Sequence, residues 1–393
     1  MKVTQIYDIV NSATSQILGE ETVLQEDLSN IVDVGKEVIG KGEVDNYVKS
    51  LVNKVGKVIF TDRLYKGSSP SILMDKWEYG SIVEKISSEL PTATESDTWK
   101  LQDGKDYNPD IFYQPKVTAK FFNSKTTFEI PLSFTELQVK ESFNNATQLN
   151  GFISMLYTSV ENAMTVKIDG LIMSTIANMV GETLKDVDTE KGNIRAVNLL
   201  TKYNEEFNQN LTVTEALTDK EFIRFSTYII GIYTDRLQRI STLFNQEGKE
   251  RFTPKEDIHV VLLSDFAKSS DVFMKTEYDN ENYLNLPTHE TVSYWQGSGE
   301  EYAFEDISRI NVKTSSNQEI DVSGILGVMF DRQALGVTNL DRRVTTNYNP
   351  KAEFYTNFYK FDAGFFNDLN ENFIVFYVAE AGAGTESGAG SEA

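Results

Sequence analysis

The sequence predicts an α+β fold, and three stretches carry that expectation. Residues 61–134 alternate apolar and polar positions in two long runs, the pattern of half-buried strands. Residues 147–181 step apolar side chains by four, which is one face of a helix. Residues 351–379, KAEFYTNFYKFDAGFFNDLNENFIVFYVA, hold ten aromatic residues between Phe354 and Tyr377 and no His, Cys or Arg.

In chain order, residues 1–30 read as an adaptable arm, with Val3, Ile6, Ile9 and Val10 as one apolar stripe. VDNYVKSLVNKVGKVIF, residues 44–60, is a clearer helix, because Val44, Tyr47, Val48, Leu51 and Val55 keep helical spacing. Gly56 offers a stop before a strand. SILMDKWEYGSIVEKISSEL and YQPKVTAKFFNSKTTFEIPLSF then read as two long strands around a polar loop. Twenty residues of strand reach roughly 60 Å, and an isolated hairpin is marginal in water. Such a hairpin has to lie on another surface, either of its own domain or of a neighbour.

The long helix follows. Phe152, Leu156, Val160, Met164, Ile168, Ile172 and Ile176 form its stripe, and Met155, Ala163, Leu171 and Met179 widen it. Asn145 or Thr147 can cap its start, Gly170 can bend or divide it, and Gly181 can end it. Residues 220–244 have helical spacing. IHVVLLSDF, residues 258–266, is a buried strand by its continuously apolar centre. GILGVMFDRQALGV, residues 324–337, is a strand and a tight turn. The aromatic stretch comes next, and AGAGTESGAGSEA has no residue that builds a core and reads as disordered.

Composition removes several classes of function. The net charge of −22 opposes direct wrapping of nucleic acid, which needs clustered Lys and Arg, and opposes anionic membranes. With no cysteine there are no disulfides, thiolate zinc sites or thiol nucleophiles. The N-terminus lacks a continuous apolar h-region, and FIVFYVA is too short to cross a bilayer. Those two readings point to the cytoplasm of the cell that makes the protein.

No motif for catalysis or cofactor binding emerges. His259 and His289 are the two histidines, and His259 in IHVVLL fits a hydrogen-bonded structural position. HExxH is absent. KDVDTEKGNIRAV resembles a calcium loop, but Gly192 stands one place late and Val197 occupies the site of the bidentate Glu. GKGEVD lacks the third glycine of a dinucleotide loop, and Leu243 excludes a P-loop at NQEGKE. Among 59 Asp and Glu residues no acid/base pair stands out. No catalytic residue, cofactor or metal is expected. Aromatic clusters without interleaved Lys or Arg fit packing and interfaces better than base stacking.

The order of elements resembles the major capsid protein of tailed bacteriophages with the Hong Kong 97 fold, nearest to the phi-29-like group from Gram-positive hosts. SLVNKVGKVIFTDRLY with WEYGSIVEKISSEL resembles the way into the extended E-loop, and PKVTAKFFNSKTTFEIPLSFTELQVKESF its return. FISMLYTSVENAMTVKIDGLIMSTI resembles the spine helix of the P-domain. IHVVLLSDFAKSSDVFMKTEY and DISRINVK resemble the A-domain, and FDRQALGV with the aromatic stretch resembles the last P-domain strands. The likeness spans nearly the whole chain and rests on order and lengths. It implies an N-terminal arm over 1–43, a leading P-domain helix and strand over 44–60, and an E-loop hairpin over 61–134. The P-domain spine helix takes 135–195, the A-domain 196–340, the last P-domain strands 341–380 and a disordered tail 381–393.

The resemblance implies a structural protein. Hexamers and pentamers would form an icosahedral or elongated head around double-stranded DNA, touched only by weak non-specific contacts, with assembly in the bacterial cytoplasm. Heterologous contacts between identical chains close into such rings. About forty residues precede the helix at 44, too few for a built-in scaffold segment, so a separate scaffolding protein is expected beside a portal protein. Decoration or head-fibre proteins are further candidate partners; a C-terminal immunoglobulin-like decoration and covalent cross-links are not expected. Trp77, Tyr79, Trp99, Phe112 and Tyr113 lie in the hairpin where only a neighbour could cover them. Phe354 and Phe358 lie on the second face of the aromatic strand, opposite Tyr355, Tyr359, Phe361 and Phe365. Rival readings are an encapsulin-type compartment shell, a soluble enzyme with a hidden carboxylate pair, and a tail or fibre component. The long central helix opposes the last.

Overall fold

The computed structural model describes residues 11, 14, 15, 70–74, 83–88, 112–135, 146–185, 194–275, 286–295 and 306–380, with scattered residues between 90 and 110. Almost all of the expected arm, the helix at 44–60, the calcium-like turn and the tail lie outside the described residues.

Helix α1 (Ala146–Leu184) runs for 39 residues, about 58 Å at 1.5 Å per residue. Val160, Met164, Ile168, Ile172 and Ile176 are all fully buried, so the stripe stepping by four is the face that meets the core. Gly170 does not divide the helix, and Gly181 does not end it. A Cβ at Gly181 would collide with Val312. The glycine there permits close approach to a neighbouring strand and has no stop function.

Two sheets flank this helix. The four-stranded sheet has the order β1 (Leu73–Met74), β11 (Leu335–Asn349), β12 (Phe354–Asn367), β4 (Lys125–Thr135). Strand β1 runs parallel to β11, and the other pairings are antiparallel. The five-stranded sheet has the order β5 (Ala196–Asn198), β13 (Phe373–Tyr377), β10 (Ile325–Asp331), β6 (Ile258–Leu263), β7 (Glu290–Val292). Strands β10 and β13 are buried along their whole length, which accounts for their continuously apolar sequences. Helix α1 packs on β11, β12, β4 and β13, and on β8 (Ile310–Lys313), which pairs with β9 (Glu319–Val322).

In the chain between β5 and β7 come α2 (Leu199–Phe207), α3 (Val213–Ala216), α4 (Lys220–Leu237) and α5 (Ser264–Lys275), with α2 packed on β13 and α5 on β6 and β7. Local chemistry sets their starts. The Asn198 side chain accepts from the N–H groups of Leu200 and Thr201. Thr212 and Glu215 close a capping box, and Asp219 accepts from the Phe222 N–H. Helix α4 ends at Leu237, short of the expected 244, and residues 258–266 divide into β6 and the first turn of α5.

The aromatic stretch is not one strand. It supplies β12 to one sheet and β13 to the other, and the turn Asp368–Asn372 joins them. Tyr355, Asn357, Tyr359, Phe361 and Ala363 are buried, then the phase changes, so that Gly364 and Phe366 are buried and Phe365 is half-exposed. Opposite this point the register of β11 shifts between Asn339 and Arg342. The pairing of β12 with β4 keeps one register from Phe354 to Gly364, so Phe365 stays on the side of Tyr355, Tyr359 and Phe361, partly buried against the core. Tyr355 stacks on Phe134 and Phe361 on Phe128, at centroid distances of 5.8 and 5.1 Å.

Candidate assembly surface

Strands β2 (Val83–Ser88) and β3 (Val117–Phe122) pair antiparallel as a separate two-stranded ribbon. Alternation gives the ribbon two unlike faces. Glu84, Ile86 and Ser88 stand opposite Phe121, Ala119 and Val117 on the outer face. There Ile86 is 65% exposed, Phe121 64% and Val117 58%. Covering what remains open of each would contribute about 1–2 kcal/mol. Phe112 and Tyr113, just before β3, are 85% and 82% exposed. Ile86, Ala119, Val117 and Phe121 thus give a marginal two-stranded element an exposed apolar patch, with Glu84 and Ser88 on the same face.

The inner face carries Lys85 and Lys120, which are direct register partners. Both ammonium groups reach Asp368, whose side chain is 2% exposed. Lys85 Nζ lies 3.0 Å from Oδ2, and Lys120 Nζ lies 3.3 Å from Oδ1. Lys85 also meets Glu371 at 2.6 Å, and Arg251 Nε stands 3.3 Å from the same Glu371 oxygen. Lys120 pairs with Glu247 at 3.0 Å. Burial alone would push the Asp368 carboxyl up. The two lysines and the Asn370 N–H outweigh it and hold the carboxyl below its usual range. Phe122 packs on Phe366 at 5.1 Å and adds an apolar contact beside these charges.

A second polar cluster centres on Glu290, at the edge of the five-stranded sheet. Glu290 accepts the Ser71 N–H at 2.7 Å and the Ser71 hydroxyl at 2.5 Å. Its Oε2 also lies 3.2 Å from Nε2 of His259, a buried ring stacked on Phe330. Burial would raise Glu290, but the Ser71 and His259 contacts outweigh it and lower it. Burial pushes His259 down, against a partial upward pull from Glu290.

Of the residues expected at an interface, Trp77, Tyr79 and Trp99 lie outside the described residues. Phe354 and Phe358 are half-buried on the face of β12 turned away from Tyr355 and Tyr359. They sit in the four-stranded sheet, in a different element from Phe112 and Tyr113. Ile86, Val117 and Phe121 were not singled out by the sequence reading, nor were the lysines behind them. A signal existed, because in VEKISS and VTAKFF each lysine neighbours the opposite-facing apolar residue. Among the described residues there is no cluster of three His, Cys, Asp or Glu that could hold a metal, and no helix long and apolar enough to cross a membrane.

The family profile described as Phi29-like phage major capsid protein matches residues 7–377. The chain belongs to that family. A relative, the major capsid protein of Bacillus phage GA-1, is 25% identical over 172 residues. That match covers 42% of this chain and 34% of the relative, so the chain spans about a third of the curated relative's length. Among solved structures, a chain from the capsid of Staphylococcus phage Andhra aligns over 81% of this chain and 86% of its own, with a TM-score of 0.51 at 12% identity. A chain from the structure described as head fiber and inner core protein gp22 of native bacteriophage P68 aligns over 81% and 88%, with a TM-score of 0.50 at 8% identity. At such identities the likeness is one of fold, and it extends the Phi29-like assignment to a mixed helix and sheet architecture shared with phage capsid structures.

Proposed function

We propose that this chain is the structural subunit of a phage head, self-assembling through hexamers and pentamers into an icosahedral or elongated shell around double-stranded DNA. The observation that carries the reading is the outward apolar face of the ribbon, Ile86, Val117, Ala119 and Phe121, in a chain of the Phi29-like major capsid family. The ribbon is the E-loop of a Hong Kong 97 architecture. Helix α1 with the four-stranded sheet is the P-domain, and the five-stranded sheet with α4 and α5 is the A-domain. A neighbouring copy covers the ribbon face, in the manner of heterologous ring contacts. The protein works by binding copies of itself and has no catalytic role. Its other partners are a separate scaffolding protein, a portal protein, and decoration or head-fibre proteins at the outside. Assembly takes place in the cytoplasm of the bacterial host, and the product is the virion capsid.

The net charge of −22 supports a lumen that holds DNA without trapping it. Co-expression with the neighbouring scaffold gene, followed by negative-stain microscopy, tests the reading. Closed shells are expected, whereas monomers under every condition would overturn it. On denaturing gels of mature particles the subunit should run at monomer mass, without a ladder of multimers.

A further inference from the structure

We propose that Lys85, Lys120 and Asp368 form an electrostatic latch that fixes the angle at which the ribbon leaves the subunit and so regulates how its apolar face is offered. The proposal rests on reading that face as the assembly surface. It concerns the setting of the ribbon within one chain, before any neighbour is present.

The ribbon has no strand pairing with either sheet among the described residues. It passes from β3 into β4 through only Asn123 and Ser124. On the inner side it is attached through the Phe122–Phe366 contact, the cluster of charges and the Lys85 Nζ hydrogen bond to the Gln333 carbonyl. Two lysines directly opposite each other on antiparallel strands repel, so by themselves they would open the ribbon. Asp368 removes that cost, with one carboxylate oxygen for each ammonium group. Glu371 and Glu247 complete the neutralisation, and with Arg251 the cluster balances three cations against three anions.

The arrangement has an asymmetry that suits a latch. With Asp368 charged, both strands are drawn to one buried point. Without it, Lys85 keeps Glu371 and Lys120 keeps the half-exposed Glu247, so the two strands are pulled toward different partners. Asp368 also stands at the end of β12, where its N–H donates to Ala334 and its Oδ1 accepts from Asn370. The anchor is therefore rigid, and the moving part is the ribbon.

Because the chain has no cysteine, introduced thiols are unique labelling sites. Spin labels at Ala119→Cys on the ribbon and Glu206→Cys on α2 report the angle in dilute, unassembled full-length protein. Both positions are exposed. The background chain should give one narrow distance at low salt. Asp368→Asn should add a second, displaced distance. Lys85→Gln with Lys120→Gln should do the same while leaving the buried turn intact, which keeps the test decisive if Asp368→Asn misfolds. High salt, where the Debye length is about 3 Å, should broaden the exposed Lys120–Glu247 side first. An unchanged single distance in the double lysine variant overturns the latch. If instead the distances move as expected but Phe121→Ser still assembles, the latch stands and the assembly surface is wrong.

Discussion

His259 and Glu290 meet at 3.2 Å, Nε2 to Oε2, with the imidazole stacked on Phe330 at 5.0 Å behind it. Burial lowers the histidine below its ordinary value of 6.5, and Arg332 adds to that effect while Glu290 opposes it. The unfolded chain therefore takes up a proton near pH 6.5 that the folded chain resists. Stability is fully present above that pH and falls as pH drops below it. Glu290 is also lowered, so its contribution is lost further down, below the ordinary carboxylate value of 4.5. Thermal midpoints of unassembled protein measured against pH should show two successive losses. His259→Phe should remove the first, and an unchanged first loss would refute the assignment.

Ile86→Ser and Phe121→Ser change side chains that already face water. Each should alter the unfolding free energy by no more than about 0.5 kcal/mol. Shell yield in co-expression should fall sharply. Trp99→Ala is expected to behave in the same way. Urea denaturation paired with particle counts separates the two effects, and a folding loss equal to the assembly loss would remove these residues from the surface.

Phe361 is buried against Phe128 in the four-stranded sheet. Phe361→Ala should cost about 3–5 kcal/mol by opening a cavity. Phe112→Ala, at an exposed position, should cost nearly nothing. The comparison in one urea series tests whether the aromatic stretch is core on this face.

Trp295 is fully buried, and its Nε1–H donates to the Ile325 carbonyl at 2.8 Å. Trp295→Phe leaves that carbonyl without the donor, at about 1–3 kcal/mol. Tryptophan emission should also lose the contribution of this buried indole. A variant of unchanged stability would show that another donor replaces the indole.

Much of this was legible from sequence. From Val160 to Ile176 the positions stepping by four in α1 are buried, and IHVVLL is an interior strand because both of its faces are covered. Gly181 misled as a stop, because a glycine in a helix can serve a neighbour's approach as well as a turn. The aromatic stretch concealed its break at Asp368–Asn372, where DLNEN is polar yet mostly buried. Its charges and backbone groups find partners far away in sequence. The same distance hid the inner face of the ribbon, because no local spacing links Lys85 and Lys120 to a carboxylate more than 240 residues later. The hydrophobic period reports which face is covered, but not which charge waits on the other side.

The five residues from Asp368 to Asn372 close one strand, open the next, and hold the counter-charge of both ribbon strands. Part of any torque applied to the ribbon is therefore delivered to one backbone turn shared by both sheets. The turn is also held from the other side, where the N–H groups of Gln246 and Asp331 donate to the carbonyls of Leu369 and Asn372. In a curved lattice of such subunits, bending at one contact would reach the next as a rotation of the whole body, and so curvature would be shared among neighbours without accumulating at a seam.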